Sequence, residues 1–414
     1  MTKDIKKYYT YIGNYVIAFI LVVTTGGAWL SDQKLKITQE SFFKILIVFL
    51  MVGVAIICLI GTRQIIVGNI KNKLFICGAC SFTFLMGSTA DVSYYKTYYL
   101  VILFWLLCYM ILQEDVRNIW KAFVNITVCL AAISLIFYFG GTLMHIIPST
   151  GVTGLDWGTW DTDSVKTYLG IYYESQSMKV SESTRIMRNT GMFSEAPMFN
   201  MVLCTALAAE IFLKEHYNKI KAGILVITIF TTLSTTGILF IMALAVLYFS
   251  EYAFQKGIIA RHKKTILLLI GTGVILGIIF IWVKTFSPAG TGSVNIRTDH
   301  LKATIKTFWE NPVFGAGYQN SKASLANAQY KQGMSVGLTY FLACGGTILG
   351  LVLFFPYIAN IVEAVRNRSF KEVCFETLFL ILFFFTAITG RPLLLFFIAY
   401  ITVYSYRNKE MGYT

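Results

Sequence analysis

The sequence predicts an all-α polytopic integral membrane protein with about twelve transmembrane helices and two large extracytoplasmic segments. Three observations carry that prediction. Of 414 residues, 56% are hydrophobic and only 14% are charged, far from the balance of a soluble domain. Apolar runs able to enter a bilayer recur from one end of the chain to the other. The Lys and Arg residues between them alternate in the manner of the positive-inside rule.

In chain order the runs are Ile12–Leu30, Phe42–Ile60, Leu74–Met86, Tyr98–Leu112, Ala122–Phe139, Pro197–Leu213, Ala222–Leu233, Gly237–Phe249, Thr265–Val283, Gly337–Ile361, Phe375–Ile388 and Leu393–Tyr404. Several fall short of the ~20 residues of a perpendicular crossing, so flanking aromatic and basic residues must cover the interface. Lys3, Lys6 and Lys7 precede the first run, and no small-residue cleavage site ends it. It reads as a retained helix. The pair Ala222–Leu233 and Gly237–Phe249 fits one long tilted helix or a hairpin. Charge favours a tight turn at Ser234-Thr235-Thr236-Gly237, because fusing the pair would leave the Lys256–Lys264 and Arg366–Lys371 clusters outside. Both termini are then cytoplasmic, and the short outer loops hold only Lys34, Lys36, Lys96 and Arg391. Residues 1–414 form one membrane domain. The polar segments Gly140–Ala196, between helices 5 and 6, and Lys284–Val336, between helices 9 and 10, share the outer face.

Composition also excludes function classes. The net charge of +14 would cluster on a polar domain in a nucleic-acid binder, and no polar segment here exceeds about sixty residues, so no nucleic-acid partner is expected. The eight cysteines lie inside or at the ends of apolar runs, which suggests no disulfide framework. Cys77 and Cys80 read as small residues packing within a helix. The membrane runs are almost free of ionisable groups: Glu210 stands four residues before Lys214, an i,i+4 pair, and Glu376 lies in a first turn. Ion-coupled transport needs such groups at mid-bilayer, which weakens that reading.

Polar chemistry gathers in the two outer segments. In the first, Gly154-Leu155-Asp156-Trp157-Gly158-Thr159-Trp160-Asp161-Thr162-Asp163 mixes acids with Trp157 and Trp160. That mixture suits sugar stacking, and it equally suits an interfacial tryptophan belt with solvated acids. Asp161-x-Asp163 has the look of a divalent-metal ligand pair, a pattern common by chance; no metal is expected. Further on, Pro197 can open a helix and leave Glu195 at its positive end. Arg185 and Arg188 stand beside it on the outer side, against the positive-inside bias. In the second segment, Asn295 can cap a helix running to Glu310, ended by Asn311-Pro312. Arg297, His300 and Thr304 share one face of that helix, and Lys302 and Lys306 share another. The lysines suit anionic lipid headgroups or a substrate equally well.

Arg188-x-x-Gly191-x-Phe193-x-Glu195-x-Pro197 resembles the Arg-x-x-Gly-x-Phe-x-Glu-Pro signature of bacterial O-antigen and capsule polymerases (Wzy-like), with Ala196 inserted before the proline. Arg297 followed by Asn311-Pro312-Val313-Phe314-Gly315-Ala316-Gly317 is similar to their second signature. The resemblance implies a glycosyltransferase of the GT-C type in the bacterial cytoplasmic membrane. Such an enzyme moves a growing glycan from undecaprenyl pyrophosphate onto the next lipid-linked repeat unit, without cofactor or metal, and works beside a membrane chain-length regulator. O-antigen ligases carry a His where this chain has Ser335, ahead of Gly345-Gly346, which favours polymerase over ligase. Some members carry Ser-Arg at the hairpin where this chain has Ser234-Thr235. A flippase for the same lipid-linked oligosaccharide is the non-enzyme alternative, and it would need a cationic central cavity.

Physical chemistry points the same way. A lipid pyrophosphate is an anion held at the outer surface, which calls for guanidinium groups there. Arg188 and Arg297 are the first choices, with Arg185 and Lys302 as further substrate contacts. The remaining task is deprotonating a sugar hydroxyl, for which Glu195 is the candidate base and His300 the alternative.

Overall fold

A computed structural model describes residues 3–34, 78–84, 94–111, 115–157, 160–179, 184–255, 288–318, 320–331 and 333–412. The runs expected at Phe42–Ile60 and Thr265–Val283 lie outside these residues. The described helices are α1 (Lys3–Thr24), α2 (Tyr94–Ile111), α3 (Arg117–Phe137), α4 (Ala196–Phe212), α5 (Lys219–Thr231), α6 (Thr235–Gln255), α7 (Pro288–Glu310), α8 (Ser321–Ala326), α9 (Leu338–Asn367), α10 (Lys371–Phe385) and α11 (Pro392–Gly412). Residues 78–84 are also helical. Arg117–Leu143, Thr235–Tyr252 and Leu338–Asn367 are each long and apolar enough to cross a membrane. Shorter apolar helices, such as Ala196–Phe212 and Pro392–Tyr406, pack among them. The chain is a mostly helical membrane protein.

Packing follows the apolar faces. α4 lies at the centre, against α3, α5, α6 and α10, and is buried along almost its whole length. α9 packs on α7, α10 and α11. Near one end of the bundle Trp120 of α3 makes edge contacts with Phe375, Phe396 and Tyr400, at centroid distances of 4.9, 4.7 and 5.7 Å. Such aromatic pairs add about 1 kcal/mol each beyond burial. Glu210 pairs with Lys214, as its spacing suggests, and also accepts from the Asn218 N–H at 2.8 Å. Glu376 is not in a first turn: α10 starts at Lys371, so Glu376 comes one turn deeper, fully buried, and accepts from Asn360 at 2.7 Å.

The hairpin expected between α5 and α6 is present. α5 ends at Thr231 and α6 begins at Thr235, with Leu233 in the left-handed region at φ 50. The turn falls slightly earlier than the sequence suggests because the Ser234 carbonyl already accepts from Gly237 and Ile238. α7 departs further from expectation. It starts at Pro288, a residue suited to the first helical position, so Asn295 is an interior residue and not its cap.

Between α3 and α4 the described residues include strands, which corrects the all-α expectation locally. α3 widens into a π-helical turn at Tyr138–Leu143, and two small antiparallel sheets follow. Strands β1 (Gly151–Trp157), β2 (Trp160–Tyr168) and β3 (Tyr172–Tyr173) form one; β4 (Ser177–Lys179) and β5 (Arg185–Met187) form the other. The pattern around Val152-Thr153 and Val165-Lys166-Thr167 has the period of a half-buried strand, with Thr153 and Val165 buried and Val152 and Lys166 exposed. Tyr168 packs onto Gly141, where a Cβ would meet its ring at 2.6 Å. Tyr168 and Thr142 both donate to Glu174, at 2.9 and 2.8 Å, and fasten the sheet to the end of α3.

α9 is broken at Gly346, whose φ of 61 and ψ of −159 no other residue type adopts cheaply. A break orphans carbonyls before it and N–H groups after it. The turn Pro312–Gly317 supplies both sets. Ala316 and Gly317 donate to the Ala343 and Cys344 carbonyls at 2.8 and 3.0 Å, and Thr347 and Ile348 donate to the Pro312 and Val313 carbonyls at 2.8 and 3.2 Å. Contact is so close that a Cβ on Gly315 would lie 2.3 Å from Cys344 backbone, and one on Gly346 would lie 2.4 Å from the Val313 carbonyl. Replacing Gly346 with Ala should therefore cost on the order of 2–4 kcal/mol, read as a lowered thermal midpoint of the purified protein. Gly223→Ala, in open space on α5, should leave that midpoint unchanged or slightly higher; equal behaviour of the two variants would contradict this account of the break.

Candidate active site

The Arg188–Glu195 stretch runs from β5 into α4, and its non-polar members set its course. Gly191 has φ 55, and a Cβ there would meet the Phe199 ring at 2.8 Å. Phe193 is fully buried and stacks on Phe199 at 5.1 Å. Met192 and Gly26 bind the neighbouring residues by backbone hydrogen bonds, Ala28 N–H to Met192 carbonyl at 2.8 Å and Ser194 N–H to Gly26 carbonyl at 3.0 Å. Glycine and phenylalanine thus set the course of the chain on which Arg188 and Glu195 are carried.

Arg188 is clamped in place. Its Nε donates to the Thr232 carbonyl in the α5–α6 turn at 2.8 Å, and its Nη1 to Gln176 Oε1 at 2.9 Å. The same Gln176 oxygen accepts from the Ala196 N–H at 3.2 Å, which ties the guanidinium to the first residue of α4. Burial draws the Arg188 pKa down to about 10, with the Arg297 charge adding to the fall and Glu195 opposing it. It stays protonated at neutral pH.

Glu195 is the N-cap residue of α4, with extended backbone, yet its side chain makes no capping hydrogen bond. Its carboxylate also closes no ion pair among the described residues. Burial pushes its pKa above the ordinary carboxylate value, while the charges of Arg391 and then Arg188 pull it back. Arg297 stands on the inward face of α7, partly buried, with its pKa lowered by burial. One turn on, His300 is fully buried. Its Nδ1 accepts from the Ser335 N–H at 3.2 Å, which makes Nε2 the N–H that donates to the Tyr330 carbonyl at 3.0 Å; Ser335 Oγ is 2.8 Å from Nδ1. Both ring nitrogens are occupied by the protein. Thr304 completes the face, donating to Thr339 Oγ1 of α9 at 2.9 Å.

A third arginine joins them. Arg391 occupies the turn between α10 and α11, and its charge reaches Glu195 and Tyr99. Neither the Arg297 nor the Arg391 guanidinium has a hydrogen-bond or ion-pair partner among the described residues. Sequence reasoning counted Arg391 only as an outer-loop exception to the positive-inside rule. That exception was the available signal, the same one that singled out Arg188.

The other expected residues lie apart from this cluster. Arg185 is exposed on β5, opposite Lys179. Lys302 is exposed on α7, and Lys306, also exposed, reaches Glu310 at 3.9 Å. Trp157 and Trp160 face each other across the tip of the β1–β2 hairpin, and the side chains of residues 157–163 lie outside the described part. Among the described residues no three His, Cys, Asp or Glu side chains gather as metal ligands.

Residues 222–355 match the O-antigen ligase family. The match supports a place in the O-antigen ligase and polymerase superfamily and covers about a third of the chain. The matched stretch runs from α5 into α9 and takes in the α5–α6 turn, Arg297, His300, the Pro312–Gly317 turn and the α9 break, whereas Arg188, Glu195 and Arg391 lie outside it. No curated protein and no solved structure matches the chain.

The His300 geometry yields a prediction independent of activity. His300→Ala would strand the Ser335 N–H and Tyr330 carbonyl, at a cost of about 1–3 kcal/mol. A lowered thermal midpoint is expected, and an unchanged one would show that these bonds do not hold α7 in place.

Proposed function

We propose that the protein is a polysaccharide polymerase, which transfers a growing glycan from undecaprenyl pyrophosphate onto the next lipid-linked repeat unit at the outer face of the bacterial cytoplasmic membrane. The observation that carries this reading is the partly buried grouping of Arg188 and Arg391 with Glu195, and of Arg297 beside Arg188, with the Arg297 and Arg391 guanidiniums lacking a protein partner among the described residues. Unpaired guanidiniums in a partly buried site are costly unless an anion fills it. A lipid-linked pyrophosphate is such an anion, and arginine grips phosphate through its planar fork.

In this reading Arg188 and Arg297 bind the donor pyrophosphate and stabilise the charge that builds on it as the glycosidic carbon departs. Glu195, raised in pKa and with a carboxylate that makes no hydrogen bond among the described residues, takes the proton from the acceptor sugar hydroxyl. His300 has no nitrogen left for that task and serves as the residue that seats α7, and with it Arg297. Trp157, Trp160, Arg185 and Lys302 are the further substrate contacts in this reading. Ligase activity is the second reading, favoured by the description of the matched family; it would attach a finished glycan once, whereas a polymerase extends it repeatedly.

The purified protein in liposomes, given its lipid-linked repeat unit alone, should produce a ladder of products. A single transfer, and only onto an added non-repeat acceptor, would establish the ligase. Arg188→Lys and Arg297→Lys keep the charge but lose the fork, and each should slow polymerisation roughly 30-fold to several hundred-fold, on the order of 2–4 kcal/mol. Near-normal ladders from both would remove the phosphate assignment.

Glu195 gives a separate test. Glu195→Gln should leave substrate bound and unpolymerised, while Glu195→Asp should retain part of the rate. Because the ionised form is the base and its pKa lies above the usual carboxylate value, the rate should fall as pH drops through that raised pKa. A wild-type rate from the Gln variant would reduce Glu195 to a helix-start carboxylate.

A further inference from the structure

We propose that Arg391 is the third guanidinium of the phosphate site and the residue by which the site distinguishes a lipid-linked pyrophosphate from a lipid-linked monophosphate. The inference rests on the polyprenyl-pyrophosphate reading above.

Position is the first argument. α10 packs along α4, so the turn that ends α10 comes up beside the first turn of α4, where Glu195 stands. That turn is held from three directions. Tyr99 of α2 donates to the Gly390 carbonyl at 2.8 Å, Tyr318 to the Thr389 carbonyl at 2.5 Å, and Thr389 Oγ1 to the Gly337 carbonyl at 3.3 Å. Pro392 follows at once and restricts the Arg391 backbone. A long cationic side chain is thus carried on a fixed backbone toward the carboxylate, with no protein group bonded to its guanidinium among the described residues.

Charge balance is the second. Three guanidiniums and one ionised carboxylate leave two positive charges. In the sugar-linked donor each phosphate is esterified on both sides and keeps one ionisable oxygen, so a lipid pyrophosphate sugar carries about two negative charges and a lipid monophosphate sugar about one. Without Arg391 the site would match a monophosphate. The match also holds through the reaction. The acceptor hydroxyl gives its proton to Glu195, its oxygen bonds to the anomeric carbon of the donor, and the bond from that carbon to the pyrophosphate breaks with its electron pair going to the pyrophosphate oxygen. The leaving group gains one negative charge as Glu195 loses one. Arg391, in range of both, is released from the carboxylate as the phosphate needs it.

The charged and titratable groups facing Glu195 are Arg188 from the β5–α4 junction and Arg391 from the α10–α11 turn, with Arg297 of α7 beside Arg188 and Tyr99 of α2 beside Arg391. Removing the Arg391 charge makes Glu195 hold a proton more tightly, so the acid limb of the rate profile should move to higher pH.

The test uses the full-length protein in lipid nanodiscs, titrated with geranylgeranyl-pyrophosphoryl glucose and, separately, geranylgeranyl-phosphoryl glucose, whose charges are those counted above. Wild type should prefer the pyrophosphate by roughly 10-fold or more. Arg391→Gln should bring the two affinities together while still binding the monophosphate, a change that misfolding would not mimic. Arg391→Lys should recover part of the preference. If wild type shows the preference, Arg188→Ala loses both ligands, and Arg391→Gln keeps the full preference, the role of Arg391 is overturned and the pyrophosphate reading stands. If wild type binds neither probe, or Arg188→Ala binds both as wild type does, the pyrophosphate site and this proposal fall together.

Discussion

A helix that breaks inside a membrane must find hydrogen-bond partners for the groups it frees, because no water is there to take them. α9 breaks at Gly346, and the partners come from the backbone of Pro312–Gly317, two donors and two acceptors meeting two acceptors and two donors. This reciprocal seam is what locates the rest. α7 ends just before the turn, so its register against α9 is set by the seam, and Thr304 and His300 confirm it with bonds to Thr339 and Ser335. Arg297 lies one turn further along the same face. Tyr318, immediately after the seam, reaches the α10–α11 turn and fixes the backbone that carries Arg391.

The cluster itself runs against the stability of the fold. Guanidiniums sunk beneath the surface lose hydration, and among the described residues only that of Arg188 regains hydrogen bonds from the protein. Lowered arginine pKa values and a raised Glu195 pKa are the same fact seen from both sides: each charge is less well solvated here than in water. The rigid seams around the cluster, the α9 break and the α1 end bound to Met192 and Ser194, hold these charges near one another despite repulsion among the arginines. A site pre-assembled in this way does not reorganise when an anion arrives, which is the condition under which fixed charges lower a barrier most.

Much of this was legible in the sequence, for reasons that differ by element. Hydropathy and charge bias marked the helices and resolved the α5–α6 hairpin, because fusing α5 and α6 would have inverted every later loop. Arg188, Glu195 and Arg297 stood out because charge on the outer side of a membrane protein needs a reason. Strands β1 to β5 were missed because aromatic and acidic residues at Trp157–Asp163 drew attention away from the period-2 pattern on either side. The start of α7 was missed because Asn295 offered a good cap while Pro288 offered an equally good first residue seven positions earlier. Arg391 sits in a short loop with no acid beside it in sequence; its relation to Glu195 is made only by the packing of α10 on α4.

Within the two signature stretches the residues divide by task. Gly191, Phe193, Gly315 and Gly317 are there for backbone geometry: positive φ at the three glycines and a ring stacked on Phe199 at the phenylalanine. Among the described residues the Glu195 carboxylate and the Arg297 guanidinium have no partner, while Arg188 donates to Thr232 and Gln176. Replacing residues of the first kind should destabilise the protein; under the proposed function, replacing the second should leave a stable protein that no longer binds its anion. Stability and ligand binding measured on the same variants therefore separate the scaffold from the chemistry, and Arg391, lying in neither signature, falls by its geometry with the second group.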